Sequence, residues 1–264
     1  RAILPRIKDG EVVFDGLQLD ISRYDSIKII ACGSSYHVGM VGKYNLEKLV
    51  RIPVEVVLAS EFRYCDPIID SRTLVVVISQ SGETLDTMAA LREAKSLGAR
   101  ILSIVNVVGS SIARESDDVL YTWAGPEIAV ATTKAYSTQM AVLDLLAIYL
   151  AGQRKTITAE DMRRLTSAAL PAQVEQILSN REQIQYYASQ YFNHDSVFFI
   201  GRNLDYALGM EGSLKLKEIS YIHSEAYASG ELKHGTISLI EPGTLVVALG
   251  SYTPLFDKAM SNVI

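Results

Sequence analysis

The sequence predicts an α/β protein built from two tandem, doubly wound parallel-sheet domains. Short apolar runs, mostly of β-branched residues, alternate along the chain with longer segments of helical periodicity. That alternation is typical of parallel strands joined by crossover helices, which cover both faces of the sheet and give three αβα layers. Similar segments also recur in the two halves of the chain, which indicates a repeated unit. The arrangement expected in each half is therefore flavodoxin-like.

The predicted strands are short apolar runs bounded by polar or glycine-containing segments. Six runs fit this description: KIIACG (28–33), VEVVLA (54–59), TLVVVIS (73–79), ARILSIV (99–105), DVLYTW (118–123) and SVFFIG (196–201). The helices between them are predicted from apolar residues three or four positions apart. The strongest such patterns are SYHVGMVGKYNLEKLV (35–50), GETLDTMAALREAKSLG (82–98) and TTKAYSTQMAVLDLLAIYLAG (132–152).

A polar-rich helical pattern from about Ala159 to Gln190 separates the two predicted domains. Because a fresh apolar strand follows it, we interpret this segment as a linker. The expected divisions are a lead-in segment over residues 1–27, a first domain over 28–155, a helical linker over 156–195 and a second domain over 196–264.

The repeat is visible when the halves are compared. ACGSSYHVGMVGKYNLEKL (31–49) resembles FIGRNLDYALGMEGSLKLKEI (199–219), ASEF (59–62) matches ASGEL (228–232), and TLVVVIS (73–79) matches TLVVALG (244–250). The first copy continues through two further strands and a long helix, whereas the second stops at SYTPLFDKAMSNVI. The sequence thus predicts a tandem duplication whose second copy is truncated at its carboxyl-terminal end.

Composition limits the kinds of partner. The net charge of -5 at pH 7 and the lack of a basic run argue against nucleic acid and anionic membranes, and no apolar run is long enough to span a membrane. The two cysteines, Cys32 and Cys65, fit no zinc or redox spacing, so we expect reduced thiols, a cytoplasmic location and no metal site. A small-molecule ligand is the expected partner.

One motif suggests what that ligand is. The predicted strand 73–79 runs into Ser79-Gln80-Ser81-Gly82-Glu83-Thr84, residues 79–84, which we call the hydroxyl turn. Hydroxyl groups, a close-approaching glycine backbone and the start of a helix suit a phosphate monoester. A nucleotide P-loop would need Gly-Lys-Ser/Thr, and a dinucleotide site would need GxGxxG after the first strand, where CGSSYHVG stands. The alternative interpretation is a helix N-cap at Ser81 or a neighbour.

Two further hydroxyl pairs follow predicted strand ends or precede a helix. They are Ser34-Ser35 and Thr132-Thr133. In a doubly wound sheet such positions can converge on one crevice at the carboxyl edge of the strands. Three hydroxyl clusters therefore favour a sugar-phosphate pocket over an ordinary polar turn.

The second half carries the candidate reactive groups. Glu211, Lys215 and Glu218 fall at i, i+4 and i+7 and so share one helix face, while GELKHG places His234 in a probable loop. The alternative is that Glu211 and Lys215 form a solvated surface pair and that a single loop histidine has no role. No role is assigned to the other three histidines, His37, His194 and His223.

Three motifs together resemble a known family. ISQSGET (78–84), EIAVATTKAYSTQM (127–140) and above all EGSLKLKEISYIHSEAYASGELKHG (211–235) are similar to the sugar isomerase (SIS) domains of glutamine–fructose-6-phosphate aminotransferases, also called glucosamine-6-phosphate synthases. The resemblance runs from about Lys28 to the end of the chain. The longest motif is specific to this family, whereas SQSGET alone indicates only the wider group of phosphosugar-binding domains.

The resemblance implies a role for each motif residue. The residues expected to bind the sugar phosphate are Ser34, Ser35, Ser79, Gln80, Ser81 and Thr84. Val130 and Thr132 would line the sugar, and many members carry serine at the latter position. Lys215 would act at the carbonyl end of the sugar with Glu211 beside it.

The remaining catalytic roles implied by the resemblance fall to an acid–base pair. Glu218 would move a proton between C1 and C2, and His234 would assist ring opening. In the family this histidine comes from the neighbouring subunit, which implies a homodimer. The reaction needs an open-chain carbonyl, a nitrogen that condenses at C2 and a carboxylate that shuttles one proton, with no cofactor or metal.

The implied activity is conversion of fructose 6-phosphate and ammonia into glucosamine 6-phosphate. In the family an amino-terminal glutaminase domain supplies the ammonia, and a carboxyl-terminal tail closes over the sugar. We expect neither within these 264 residues and therefore expect the chain to be weakly active or inactive alone. Two alternatives stay open. One is a non-catalytic sugar-phosphate sensor, and the other is a different phosphosugar isomerase or a deglycase.

Overall fold

The computed structural model describes residues 4–167 and 170–263. By its contacts the chain divides into two compact units, Arg1–Ser167 and Ala168–Ile264. None of the described helices is long and apolar enough to cross a membrane.

The first unit begins with a small antiparallel hairpin. Its strands are β1 (Ile7–Lys8) and β2 (Glu11–Val12). Val12, Phe14 and Leu19 are buried in the core of the same unit, so the amino-terminal segment packs as part of the first unit.

Five parallel strands form the sheet of the first unit. They are β3 (Ser26–Ala31), β4 (Val54–Leu58), β5 (Thr73–Ser79), β6 (Arg100–Val105) and β7 (Asp118–Tyr121). Their spatial order is β4-β3-β5-β6-β7, which is the flavodoxin-like order predicted from the sequence. The predicted strand 118–123 ends earlier, at Tyr121. All seven residues of β5 are buried, as the continuous apolar run predicts for a strand covered on both faces.

Helices cover both faces of this sheet. They are α1 (Gly33–Val50), α2 (Ala59–Phe62), α3 (Leu85–Ser96), α4 (Ser111–Glu115), α5 (Lys134–Arg154) and α6 (Ala159–Leu165). One buried cluster packs α1 and α5 on one face, and a second packs α2, α3 and α4 on the other, which confirms the three layers. A Cβ on Gly42 would lie 2.0 Å from Leu143 Cδ2, so only glycine lets α1 and α5 approach this closely.

The second unit repeats the beginning of this pattern. Its elements are α7 (Leu170–Leu178), α8 (Arg181–Tyr191), β8 (Ser196–Gly201), α9 (Leu204–Ser220), β9 (His223–Ala228), β10 (Leu245–Ala248) and α10 (Phe256–Met260). The three strands are parallel in the order β10-β8-β9. The first strand of this sheet, β8, lies between β10 and β9, as β3 lies between β5 and β4 in the first unit.

The segment predicted as one helical linker is three helices, α6, α7 and α8. A capping box starts α6, in which Thr158 Oγ1 accepts from Asp161 N at 3.0 Å and Asp161 Oδ2 accepts from Thr158 N at 3.3 Å. Just after α6, Thr166 Oγ1 lies 2.9 Å from the Met162 carbonyl oxygen and 3.1 Å from the Gly10 carbonyl oxygen, and residues up to 167 pack with the first unit. The matched segments ASEF and ASGEL also differ in structure. ASEF forms α2, whereas ASGEL starts at the last residue of β9 and continues as a turn.

Candidate functional site

The candidate site lies at the carboxyl edge of the first-unit sheet, where β3 and β5 run side by side. The helix after β3 packs on one face and the helix after β5 on the other, so the chain reverses its winding between these strands. Ligands of open α/β sheets bind at such a switch point. Ser34 and Ser35 follow β3, and the hydroxyl turn follows β5, as the sequence predicts.

Hydrogen bonds fix the hydroxyl turn internally. Ser79 Oγ accepts from Gly82 N at 3.0 Å and lies 3.2 Å from Thr84 Oγ1. Ser81 Oγ accepts from Glu83 N at 3.2 Å. Ser79 is buried, whereas Ser81 and Thr84 are half-buried, so these two hydroxyl groups remain accessible to a ligand.

The alternative interpretation, a helix N-cap at Ser81 or a neighbour, agrees with the structure in position but not in hydrogen bonding. Thr84, and not Ser81, occupies the N-cap position of α3, and its side chain makes no capping hydrogen bond. The Thr84 hydroxyl instead lies against Ser79. Because no side chain caps α3, its first backbone N–H groups and the positive end of its dipole are left for an anion.

The loop after β6 packs against the hydroxyl turn and donates hydrogen bonds to it. Gly82 has a φ of +67°, and a Cβ there would lie 2.0 Å from Ser110 Oγ. The Gly82 carbonyl accepts from Ile112 N at 3.0 Å, and Glu83 Oε1 accepts from Ser111 N at 2.8 Å. That backbone donor holds the pKa of Glu83 below its usual value. Sequence reasoning missed this support, although the Gly-Ser-Ser after strand 99–105 was an available signal.

Two side-chain contacts join the β3–α1 turn to its neighbours. Thr87 Oγ1, in the first turn of α3, donates to Cys32 Sγ at 3.7 Å, which brings the ends of β3 and β5 together. Ser35, half-buried in the first turn of α1, donates from Oγ to Gln139 Oε1 of α5 at 3.1 Å. Sequence reasoning assigned no role to Gln139, which is buried inside a helical pattern.

The third hydroxyl cluster forms a local group at the start of α5. Thr132 Oγ1 donates to Glu127 Oε2 at 2.9 Å, and Ala135 N donates to the same oxygen at 3.3 Å. The hydrogen bond from Thr132 is the main reason that the pKa of Glu127 lies below its usual value. Since its only proton is engaged, Thr132 can offer a ligand lone pairs alone, which suits a sugar hydroxyl and not a phosphate oxygen. Val130 nearby is 95% exposed.

The second unit brings the predicted acidic and basic residues together on α9. Lys215 Nζ lies 3.6 Å from Glu211 Oε1 and also donates to Glu218 Oε2. The side chains of Glu211, Lys215 and Glu218 are 6%, 16% and 29% exposed. The alternative of a solvated surface pair is therefore wrong, because ordinary surface pairs stay in water. A lysine held between two carboxylates in a mostly buried position is suited to chemistry at an uncharged group of a ligand, such as a carbonyl.

His234 lies outside this group. It ends the helical turn Leu232–His234 that follows β9, and its side chain is exposed. The structure thus brings Glu211, Lys215 and Glu218 together and leaves His234 on the surface of the second unit.

In the second unit, a carboxylate lies at the carboxyl ends of the strands, at the position that corresponds to the candidate site of the first unit. Asp205 is 3% exposed; it accepts from Tyr252 N at 3.0 Å and also from Ser251 Oγ. Aligning the Gly-Met pairs 39–40 and 209–210 places Asp205 opposite Ser35. The sheet register agrees, since Leu74 pairs with Ile27 and Leu245 with Val197. Ser251 and Tyr252 then correspond to the beginning of the hydroxyl turn.

Comparisons with known proteins match both units to one family. The SIS domain family matches residues 20–149 and 190–261. Among solved structures, the C-terminal domain of glucosamine-fructose-6-phosphate aminotransferase from Francisella tularensis superposes with a TM-score of 0.94 at 39% identity, over 99% of this chain and 74% of that one. A putative phosphosugar isomerase from Silicibacter pomeroyi gives a TM-score of 0.76 at 27% identity, over 92% of this chain and 72% of that one.

Curated relatives extend the match. Glutamine–fructose-6-phosphate aminotransferase (isomerizing) from Clostridium acetobutylicum is 57% identical over 245 residues, which are 92% of this chain and 40% of the relative. The enzyme of the same name from Caldanaerobacter subterraneus is 55% identical over 262 residues, 97% of this chain and 43% of the relative. The chain thus spans about two fifths of the length of these relatives. It belongs to the SIS domain family and, within that family, to the isomerase domains of glutamine–fructose-6-phosphate aminotransferases.

Proposed function

We propose that this chain is the isomerase part of a glutamine–fructose-6-phosphate aminotransferase and that its first unit binds the phosphate of fructose 6-phosphate. The observation that carries the proposal is the hydroxyl turn at the switch point. Its hydroxyl groups are held by backbone and side-chain hydrogen bonds, and the helix that it starts has no side-chain cap. These are the donors that a phosphate monoester requires.

The rest of the ligand follows from the surrounding side chains. Ser34 and Ser35 add hydroxyl groups beside the hydroxyl turn, and Gln80 adds an amide within it, so that the phosphate is bound by neutral groups in a fixed geometry. Thr132 accepts from a sugar hydroxyl because its proton is given to Glu127, and Val130 contacts the sugar. The site should therefore discriminate strongly against sugars that lack the phosphate.

The chemistry that we propose proceeds through the open-chain ketose. Ammonia condenses at the C2 carbonyl with loss of water, and Glu218 then takes a proton from C1 and returns it to C2, which gives the aldose amine. Lys215, whose ammonium is paired with Glu211 and Glu218, acts at the carbonyl end of the sugar. His234 assists ring opening from the neighbouring subunit of a homodimer, which agrees with its exposed position.

The context of the chain is part of the proposal. In the full-length protein a glutaminase domain supplies ammonia, as the names of the relatives and the partial coverage of their length support. The equivalent strand orders of the two units support a tandem repeat. Two free cysteines, Cys32 and Cys65, support a cytoplasmic location.

The proposal is tested by removing the accessible hydroxyl groups. Fructose 6-phosphate and unphosphorylated fructose are titrated calorimetrically into the wild type and into the Ser81→Ala/Thr84→Ala variant. We expect at least tenfold weaker binding of fructose 6-phosphate by the variant, since two charge-assisted hydrogen bonds are lost. Ser96→Ala, an exposed hydroxyl at the other end of α3, is the matched control and should bind as the wild type does. Unchanged binding by the double variant would overturn the phosphate assignment.

A further inference from the structure

Glu83 is an acidic residue within the hydroxyl turn, where an anion is proposed to bind. It lies between Gly82 and Thr84, and it is exposed. A carboxylate that faced a bound phosphate would repel it, because like charges at short range raise the free energy of the complex. The direction in which this carboxylate points therefore matters to the candidate site.

The carboxylate of Glu83 is held by the loop after β6. Its Oε1 accepts from the N–H of Ser111, the first residue of α4, at 2.8 Å. The direction of this hydrogen bond is unambiguous, because a backbone N–H only donates and an ionised carboxylate only accepts. The bond lowers the pKa of Glu83, and Arg114 lowers it further, so the group stays charged while it is bound to the loop.

Two backbone hydrogen bonds run alongside this contact. Asn106 N donates to the Gln80 carbonyl at 3.1 Å, and Ile112 N donates to the Gly82 carbonyl at 3.0 Å. The loop after β6 thus holds the hydroxyl turn on both sides of Ser81. A turn that is fixed before its ligand arrives loses less conformational entropy when the ligand binds.

We propose that Glu83 is a positioning residue for phosphate binding: by accepting from Ser111 N, its carboxylate fixes the hydroxyl turn against the loop after β6 and keeps its own charge away from the phosphate. This inference rests on the proposed function, because it requires a phosphate at the hydroxyl turn. It extends the site to a loop that the sequence analysis did not include.

Substitution of Glu83 separates positioning from charge. The wild type, Glu83→Gln and Glu83→Ala are titrated calorimetrically with fructose 6-phosphate, and their thermal unfolding is measured. Glutamine keeps an oxygen that accepts from Ser111 N, so Glu83→Gln should bind within about twofold of the wild type, whereas Glu83→Ala should bind about fivefold more weakly. Neither variant should lower Tm by more than about 2 °C, because the contact is exposed. If Glu83 only repelled the phosphate, both variants would bind more tightly, and that result would overturn the inference.

The donor can be removed without changing the hydroxyl turn. Proline is favoured at the first position of a helix, and Ser110, with φ −61° and ψ 162°, has a backbone conformation compatible with a following proline. Ser111→Pro therefore removes the N–H, and Ser111→Ala, which lacks the hydroxyl but keeps the N–H, is its matched control. We expect Ser111→Pro to bind fructose 6-phosphate about fivefold more weakly than Ser111→Ala. In the Glu83→Ala background the two should differ less than about twofold, because the bond is already absent.

A purely structural role for Glu83 gives a different pattern. It predicts a lower Tm with an unchanged Kd for fructose 6-phosphate, or the same loss from Ser111→Pro with and without Glu83, and either result would overturn the inference. If the wild type binds and Glu83→Ala binds equally well, the role of Glu83 alone is wrong. If the wild type itself does not bind fructose 6-phosphate, the proposed function fails, and this inference fails with it.

Steady-state kinetics of the full-length protein give a second measurement. Because Glu83 acts on binding and not on the reacting carbons, Glu83→Ala should raise KM for fructose 6-phosphate about fivefold and change kcat less than about twofold. Glu83→Gln should restore KM to near the wild-type value. A fall in kcat with an unchanged KM would contradict a positioning role in phosphate binding.

Discussion

The ion pairs and hydrogen bonds of single residues indicate which role each residue can have. Lys215 lies between Glu211 and Glu218 with little exposure, whereas Thr132 directs its only proton to Glu127. A hydroxyl that donates inside the protein faces its ligand as an acceptor, so the direction of each hydrogen bond predicts the ligand group opposite it. The pattern separates groups suited to the phosphate from a group suited to the sugar.

Replacement of Glu218 tests the proton transfer. In the full-length protein, Glu218→Gln should reduce interconversion of fructose 6-phosphate and glucose 6-phosphate by about 10²-fold or more, because an amide cannot accept the C1 proton. The Kd for fructose 6-phosphate should change less than threefold, since glutamine keeps an oxygen for Lys215. Rates are measured with a coupled assay, and Glu225→Gln on β9 is the matched control. Undiminished turnover would remove Glu218 from the mechanism, whereas no turnover by the wild type itself would favour a non-catalytic sugar-phosphate sensor.

At the scale of elements, the contact between α1 and α5 buries the carboxyl group of Asp144, which is unfavourable when it is charged. Asp144 Oδ1 accepts from Asn45 Nδ2 at 2.7 Å, and burial raises the pKa of Asp144 to about 6. The two residues line a cavity of about 450 Å³ with Lys48, Asp161 and Arg164. The folded chain therefore binds a proton at Asp144 more tightly than the unfolded chain, whose carboxyl has its ordinary pKa near 4. Stability is lost as the pH rises from about 4 to 6.

Asp144→Asn should remove this pH dependence. Asparagine keeps the oxygen that accepts from Asn45 but carries no charge, so the variant should be more stable than the wild type by about 3 kcal/mol at pH 7.5. The difference should fall to about half at pH 5, where the folded wild type is mostly protonated at this site. Urea unfolding of both proteins at the two pH values measures it. An equal difference at both values would show that the charge of Asp144 is not the cause.

The elements also show what a sequence can and cannot predict here. Periodicity predicted β5 and α1 nearly to their ends, because both are long and locally consistent, and the hydroxyl turn is contiguous. The partners Gln139, Glu127 and Ser110 were not predicted, because each meets the site through a contact between separate segments or inside a loop. The end of α6 at Leu165 was also missed, since polar helical patterns do not mark where a chain turns.

For the molecule as a whole, the two units should differ in ligand binding. The hydroxyl turn of the first unit has accessible donors, whereas the matching donors of the second unit are engaged by Asp205. We therefore expect one fructose 6-phosphate per chain in calorimetry, and inorganic phosphate should compete for that single site. A stoichiometry of two would contradict the correspondence between Asp205 and the bound phosphate.

Asp205 also changes how the second unit responds to its surroundings. A ligand stabilises the fold that binds it by RT ln(1 + [L]/Kd), which is about 2.7 kcal/mol at a hundredfold excess over Kd. Under the proposed function, the turn after β5 gains this stability only while the sugar phosphate is abundant. The turn after β10 is held by the carboxylate of Asp205, which is part of the chain and is therefore always present. Hydrogen exchange at the first turn should therefore report the supply of sugar phosphate, and exchange at the second should be indifferent to it.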